Sequence, residues 1–229
     1  MNWRKGKQNV SDRSFPDAQE NSMSSHRNRG FSLLEMLAAI AISLTLAGIT
    51  TMAFVPVMKS QSATTAYNTT LTTLRRARDQ AAADMRTYVV QFTVPGTITV
   101  TQSLSQTTTC QVPPAGAVLL TATLPTDITF HVEPGVPTSN VTAPVTPDQF
   151  GTALYPFDLD QNNPGTSYIC FNPDGTATDQ VGNIANGVVY LGRPGDLYSS
   201  RAITLWGSTG RIRGWRLYKV GAANTWSQQ

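Results

Sequence analysis

The sequence predicts an α+β protein: one long N-terminal helix, half transmembrane and half amphipathic, packed on an antiparallel β-sheet domain. Three observations predict it. Residues 36–58 are 23 consecutive positions without a charge. From Tyr67 to Tyr88, apolar or small residues return at helical spacing. After Thr87 the texture turns β-branched and alternating, with Gly, Pro and Asn marking the turns.

The apolar run comes first. As a helix rising about 1.5 Å per residue it reaches about 35 Å, enough for a hydrocarbon core of about 30 Å. The only charge between Gly30 and Lys59 is Glu35. A carboxylate there costs about 2.5–3.5 kcal/mol on insertion scales, which implies a function and a partner. Arg27 and Arg29 precede the run, so the positive-inside rule leaves the N-terminus cytoplasmic and sends the C-terminal bulk outward. A secretory signal has a shorter apolar core, about 7–15 residues, with its cleavage site after it. Here the glycine stands before the run. A plain membrane anchor has no use for Glu35.

The helix is expected to continue to about residue 86. Tyr67, Leu71, Leu74, Ala81, Met85 and Tyr88 recur at steps of three, four or seven and predict one buried face. Arg75, Arg76, Arg78, Asp79, Asp84 and Arg86 take the remainder, and an i, i+4 pair such as Arg75–Asp79 adds only about 0.2–0.5 kcal/mol. Pro56 is expected to kink the helix. Strands follow at residues 88–94, 97–101 and 117–122. A polar, Pro-rich stretch at 134–147 reads as an exposed loop. Further strands are expected at 167–171, 187–191, 202–206 and 211–220, with a turn at Asn172-Pro-Asp-Gly175 and a hairpin tip at Ser208-Thr-Gly210. Residues 222–229 read as a loose tail.

The formal net charge of +3 belongs to residues 1–30, so the side chains beyond Gly30 sum to zero, 11 basic against 11 acidic. Their distribution is uneven. Between Thr87 and Gly192 there is no Lys or Arg, whereas Asp127, Glu133, Asp148, Asp158, Asp160, Asp174 and Asp179 are present. From Arg193 onward six basic residues face only Asp196. A basic surface on the last strands, beside or opposite an acidic middle, is one reading, and solvated strand faces without a partner are the other.

Gly30-Phe31-Ser32-Leu33-Leu34-Glu35, followed at once by a spanning apolar run, resembles the processing site of type IV pilins and type II secretion pseudopilins. The resemblance implies cleavage after Gly30 by prepilin peptidase, N-methylation of Phe31 and an assembly contact between Glu35 and the N-terminal amine of a neighbouring subunit. Amine and carboxylate would each relieve the other's desolvation. Met23 begins a short basic leader, MSSHRNRG, of the family's usual kind, so translation is expected to start there. The segment LTTLRRARDQAAADMRTYVVQF and the hairpin Ile203-Thr-Leu-Trp-Gly-Ser-Thr-Gly-Arg-Ile-Arg213 resemble the GspH/FimT class of minor pilins and pseudopilins. The likeness is good over residues 30–95, moderate over 165–220 and essentially absent over 96–160. It implies the pilin fold.

Cys110 and Cys170 both lie on the outward side, where an oxidising compartment permits a disulfide; two free thiols are the alternative. A metal site is not expected, because only His131 could join them and zinc needs three or four ligands. Asp158-Leu-Asp160-Gln-Asn162 has alternating oxygens but lacks the glycine and the closing glutamate of a calcium loop, at Asn163 and Ile169, and reads as a polar turn. Asn68-Thr-Thr and Asn140-Val-Thr match the glycosylation sequon without further support. No nucleophile–base–orienter set and no Gly-rich phosphate loop occur, so no enzyme and no cofactor are expected.

Gly210-Arg211-Ile212-Arg213, with Trp215, Arg216 and Lys219, supports two readings. Strand alternation puts Arg211, Arg213, Trp215 and Lys219 on one face, with Ile212 and Tyr218 on the other. Cations with an interleaved aromatic suit nucleic acid, and the Gly-Arg-x-Arg pattern resembles one through which some FimT-like minor pilins take up DNA. Alternatively the arginines bridge to the acidic middle or to a neighbouring subunit.

The expected organisation is a leader over residues 1–30, a transmembrane helix over 31–59, an amphipathic helix and first strand over 60–95, a β domain over 96–221 and a tail over 222–229. The expected role is a structural subunit of a type II secretion pseudopilus or type IV pilus. It would be anchored in the inner membrane with its domain periplasmic or extracellular, and its partners would be other pilins and prepilin peptidase. DNA is the partner under the alternative reading.

Overall fold

The computed structural model describes residues 31–104, 110, 116–160 and 163–229; the leader, with Met23 and Gly30, lies outside the described residues, as do Gln161 and Asn162 of the polar turn. Helix α1 runs over Leu33–Asp84 and stays helical on both sides of Pro56. By its contacts the chain divides into two units, Met1–Ile49 and Thr50–Gln229.

In the first unit the described residues from Leu33 are helical and exposed. Leu33–Thr51 is long and apolar enough to cross a membrane by length and composition. Its hydroxyls turn inward: Ser43 Oγ donates to the Ala39 carbonyl at 2.7 Å and Thr45 Oγ1 to the Ile42 carbonyl at 2.8 Å. Such back-bonding leaves no polar hydrogen facing an apolar surrounding.

Among its described residues the second unit holds ten strands in two antiparallel sheets. The first comprises β1 (Tyr88–Thr93), β2 (Thr97–Gln102), β3 (Val118–Thr123), β5 (Tyr168–Phe171) and β6 (Ala177–Thr178), in the order β3-β2-β1-β5-β6. The second comprises β4 (Phe157–Asp158), β7 (Gly187–Arg193), β8 (Asp196–Trp206), β9 (Arg211–Val220) and β10 (Ala223–Gln228), in the order β10-β9-β8-β7-β4. The expected α+β class, a long helix packed on antiparallel β structure, is what the chain adopts.

The helix supplies the buried face that its spacing predicts, with Tyr67, Leu71, Leu74 and Ala81 inside. Ala63, Ala66 and Ala77 are also fully buried, and their small size lets the helix approach the strands closely. One core joins this face to Val90, Phe92, Ile98 and Phe171 of the first sheet and to Val189, Leu191, Ile203 and Leu205 of the second. Phe92, Phe130 and Phe157 meet there with ring centroids 5.1–5.6 Å apart. Met85 departs from the expected face and is 69% exposed. The helix has already ended: Met85 takes φ 53° and the Arg86 amide donates back to the Ala81 carbonyl at 3.2 Å. That is the geometry of a left-handed C-terminal stop, here without glycine.

Three further expectations are corrected. Residues 222–229 are not a loose tail, because β10 pairs with β9 from Ala223↔Val220 to Gln228↔Trp215 and buries Trp226. Its lone buried aromatic among polar residues hid the strand. The stretch at 134–147 is exposed only in part. Val136 and Pro147 are buried, and with Phe150 and Ala153 this segment covers the face of the second sheet that carries Val188, Tyr190, Ala202 and Leu217. Strand β8 begins at Asp196, six positions before the expected start, because Leu-Tyr-Ser-Ser-Arg lacks the alternation that marks a strand.

Candidate functional site

Of the candidate residues, Phe31 and Glu35 belong to the start of α1 and the basic set to the β8–β9 hairpin. At the first, the Glu35 and Met36 amides donate to the Ser32 carbonyl at 3.0 and 3.1 Å and close the opening turn. Glu35 stands in that turn, where the helix dipole favours an anion. Phe31 is 73% exposed. Among the described residues no cation forms an ion pair with Glu35.

At the second, the register opposes Trp206 to Arg211, Thr204 to Arg213, Ala202 to Trp215 and Arg201 to Arg216. Alternation then splits the basic residues. Ile212 packs on the core and Gly214 lies against Tyr67 of α1, so their face looks at the helix, and Arg216 belongs to it. By alternation Arg213, Trp215 and Lys219 take the opposite face, while Arg211, at the start of the strand, borders α1 residues. The sequence grouping of Arg216 with them is therefore corrected by the register.

On that opposite face Arg213 is engaged. Its Nη1 donates to Asp148 Oδ1 at 2.7 Å, and the Asp148 side chain is only 6% exposed. Asp148 Oδ2 also accepts from Thr204 Oγ1 and, at 3.2 Å, from Trp206 Nε1. Trp215 Nε1 donates to Thr204 Oγ1 at 3.0 Å, and the Arg213 guanidinium lies 5.7 Å from the Trp206 ring centroid. Asp148 is presented by a short 3-10 turn, Pro147–Gln149, with left-handed backbone at Asp148 (φ 50°) and Gln149 (φ 62°). Arg213 thus bridges to the acidic middle. The sequence singled out Arg213 but not its partner; the only signal was an acid in a stretch otherwise without basic residues.

Arg211 remains exposed at a cleft of about 430 Å³ that it shares with Arg75, Arg78 and Asp79. Arg78 pins the hairpin tip to the helix: Nη2 donates to the Thr209 carbonyl at 3.1 Å and Nε to the Gly175 carbonyl at 3.4 Å. Gly210 has φ 59°, and a Cβ there would sit 2.1 Å from the Gly175 carbonyl oxygen. The glycine of the Gly-Arg-x-Arg pattern is therefore required by the turn itself. Lys219 is exposed.

Two other arginines of the basic C-terminal part are built into the fold. Arg193 Nη2 donates to Asp127 and, at 3.0 Å, to the Lys59 carbonyl, tying β7 to α1 and to the loop before Ile128. The hydrogen bond from Arg193 holds the Asp127 carboxyl below its usual range. Arg201 is 2% exposed. Cys110 and Cys170 are joined in a disulfide with their Cα atoms 5.7 Å apart, against Val89 on the outer side of the first sheet. Among the described residues no three His, Cys, Asp or Glu side chains group as a metal site.

Residues 25–51 match the family model for the prokaryotic N-terminal methylation motif. No curated protein matches the chain. A solved structure, the type IV minor pilin FimU of Pseudomonas aeruginosa strain PAO1, is similar over 69% of this chain and 87% of its own, at 12% identity and a TM-score of 0.40. Likeness of that order decides nothing about what this chain binds or does.

Proposed function

We propose that this chain, which carries the N-terminal methylation motif of type IV pilins and pseudopilins, is a structural minor pilin or pseudopilin. The precursor is cut after Gly30 by prepilin peptidase, Phe31 is methylated, and the protein waits in the inner membrane until it joins a type II secretion pseudopilus or a type IV pilus. The observation that carries the reading is the motif match over residues 25–51, with Glu35 one turn into a membrane-length apolar helix. A carboxylate in hydrocarbon is costly alone and favourable opposite an amine, which is what a neighbouring processed N-terminus provides. The intact mass of the protein from cells with and without prepilin peptidase tests it. Loss of the leader up to and including Gly30 and one added methyl group, both dependent on the peptidase, are expected. A peptidase-independent mass, or a cut elsewhere, overturns the reading.

A second reading, capture of DNA, draws support from Arg211, Arg75 and Arg78 around one cleft. Under it, replacing Arg211 by Ala weakens a low-salt gel shift of the full chain, whereas binding equal to the parent's sinks it. Arg213 is the weaker candidate for phosphate contact, because Asp148 already holds it.

A further inference from the structure

Arg201 and Arg216 stand directly opposite each other on β8 and β9. Like charges in that register repel. Among the described residues neither has a carboxylate at ion-pair distance. Arg201, almost wholly buried, donates through one nitrogen, Nη1, to the carbonyls of Tyr198, Ser199 and Ser200 at 3.0–3.3 Å. The Nε of Arg216 is buried without any hydrogen-bond partner. Both line a cleft of about 200 Å³ between α1 and the hairpin, closed on the helix side by Lys59, Ser60 and Ala63. Asp196 also borders it, but its carboxylate is engaged by Arg193 at 3.5 Å.

We propose that this cleft is an oxyanion site, with Arg201, Arg216 and Lys59 converging on one phosphate group. Arg201 is buried and Arg216, whose guanidinium lies 5.0 Å from the Tyr218 ring centroid, half-buried, neither with a carboxylate partner among the described residues. An anion held between them and the exposed Lys59 removes both the repulsion and the orphaned donor. Guanidinium pairs match tetrahedral oxyanions through charge-assisted hydrogen bonds. The cleft holds a phosphate with space for ordered water, each molecule taking about 30 Å³. In keeping with that geometry, burial and then the Arg216 charge pull the Arg201 guanidinium down to about 10, against smaller opposing effects of Tyr218, Asp196 and Tyr67.

The phosphate has two sources. Lys59 is the first charge after the uncharged run of residues 36–58, which suits the headgroup of an anionic membrane lipid. Dissolved inorganic phosphate has the same chemistry. The lipid source rests on the membrane-anchored reading; the site itself does not.

The test uses the full chain in a maltoside detergent. Its Tm is followed against inorganic phosphate, with chloride at equal ionic strength as reference, and against micelles carrying phosphatidylglycerol or phosphate-free diacylglycerol. A saturable rise in Tm with phosphate or phosphatidylglycerol is expected, with affinity reduced about tenfold in Arg216→Gln and in Lys59→Gln, as loss of a charged hydrogen bond requires. Lys59 is exposed, so its variant remains informative if Arg216→Gln does not fold. Tighter binding of phosphatidylglycerol than of phosphate assigns the lipid; a response to phosphate alone assigns the free ion. No shift with either probe, or an unchanged affinity in Lys59→Gln, overturns the site. The mass of the processed N-terminus is independent of all these outcomes.

Discussion

Replacing Arg213 by Met isolates the contact that joins the basic hairpin to the acidic middle. The substitution keeps an unbranched apolar side chain and removes the guanidinium that lies over Trp206. It leaves the carboxylate of Asp148 at 6% exposure with donors only from Thr204 and Trp206. Orphaning a buried charge costs about 3–5 kcal/mol. Two neutral donors remain, so the loss falls at about 3 kcal/mol, and for a chain of this size Tm drops by about 6–12 °C. Chemical and thermal unfolding of the full chain in detergent, with Asp148→Asn and the double variant completing a cycle, measures it. The double variant recovers most of the loss, because no unpaired charge is left inside. A single-variant loss below about 1 kcal/mol, the scale of an exposed pair, refutes the reasoning.

Other outcomes follow from the same geometry. Reducing the Cys110–Cys170 disulfide, or replacing both residues by Ser, removes about 4 kcal/mol for a loop of 60 residues on the chain-entropy treatment; the unreduced protein takes up no thiol-alkylating label. Gly214→Ala places a Cβ 1.7 Å from Tyr67 Oη and costs at least about 1–3 kcal/mol in denaturant unfolding, with partial recovery when Tyr67 is shortened to Leu. Two of the perturbed carboxyls, Asp127 and Asp158, give opposite pH effects. Asp127 is held low by Arg193, so its contribution is present above its unfolded value, near 3.8, and is lost as pH falls through the lower folded value. Asp158 is pushed up by burial, so its charge opposes folding at neutral pH and stability recovers as pH falls through its raised value. Asp158→Asn therefore raises Tm at pH 7, while Asp127→Asn lowers it.

The helix and its apolar half were legible because their signals are local. Uninterrupted apolarity over 36–58 and the repeat at Tyr67, Leu71, Leu74 and Ala81 need no partner to be read. The central strands of both sheets were legible for the same reason, since β1, β2, β5, β7 and β9 are β-branched or alternating over their length. What stayed hidden depended on something distant. β10 has one buried side chain, Trp226, and is a strand only because β9 lies beside it. The Pro-rich segment looked solvated, yet it covers a sheet face that alternation alone leaves bare. Arg216 was grouped with Arg213 by proximity along the chain, although adjacent registers point them to opposite sides.

By itself the sequence determined a membrane-length helix with a single acid near its start, an N-terminal methylation motif over residues 25–51 and an antiparallel β domain. Each is set by residues within a turn or two of one another, where spacing and hydropathy act directly. The tertiary structure decided which charges are committed. Arg213 meets Asp148 across 65 residues and Arg193 meets Asp127 across 66, while Arg201 and Arg216 are brought face to face, neither ion-paired among the described residues. Pairing of charges depends on distance in space and on burial, and neither can be read from order along the chain.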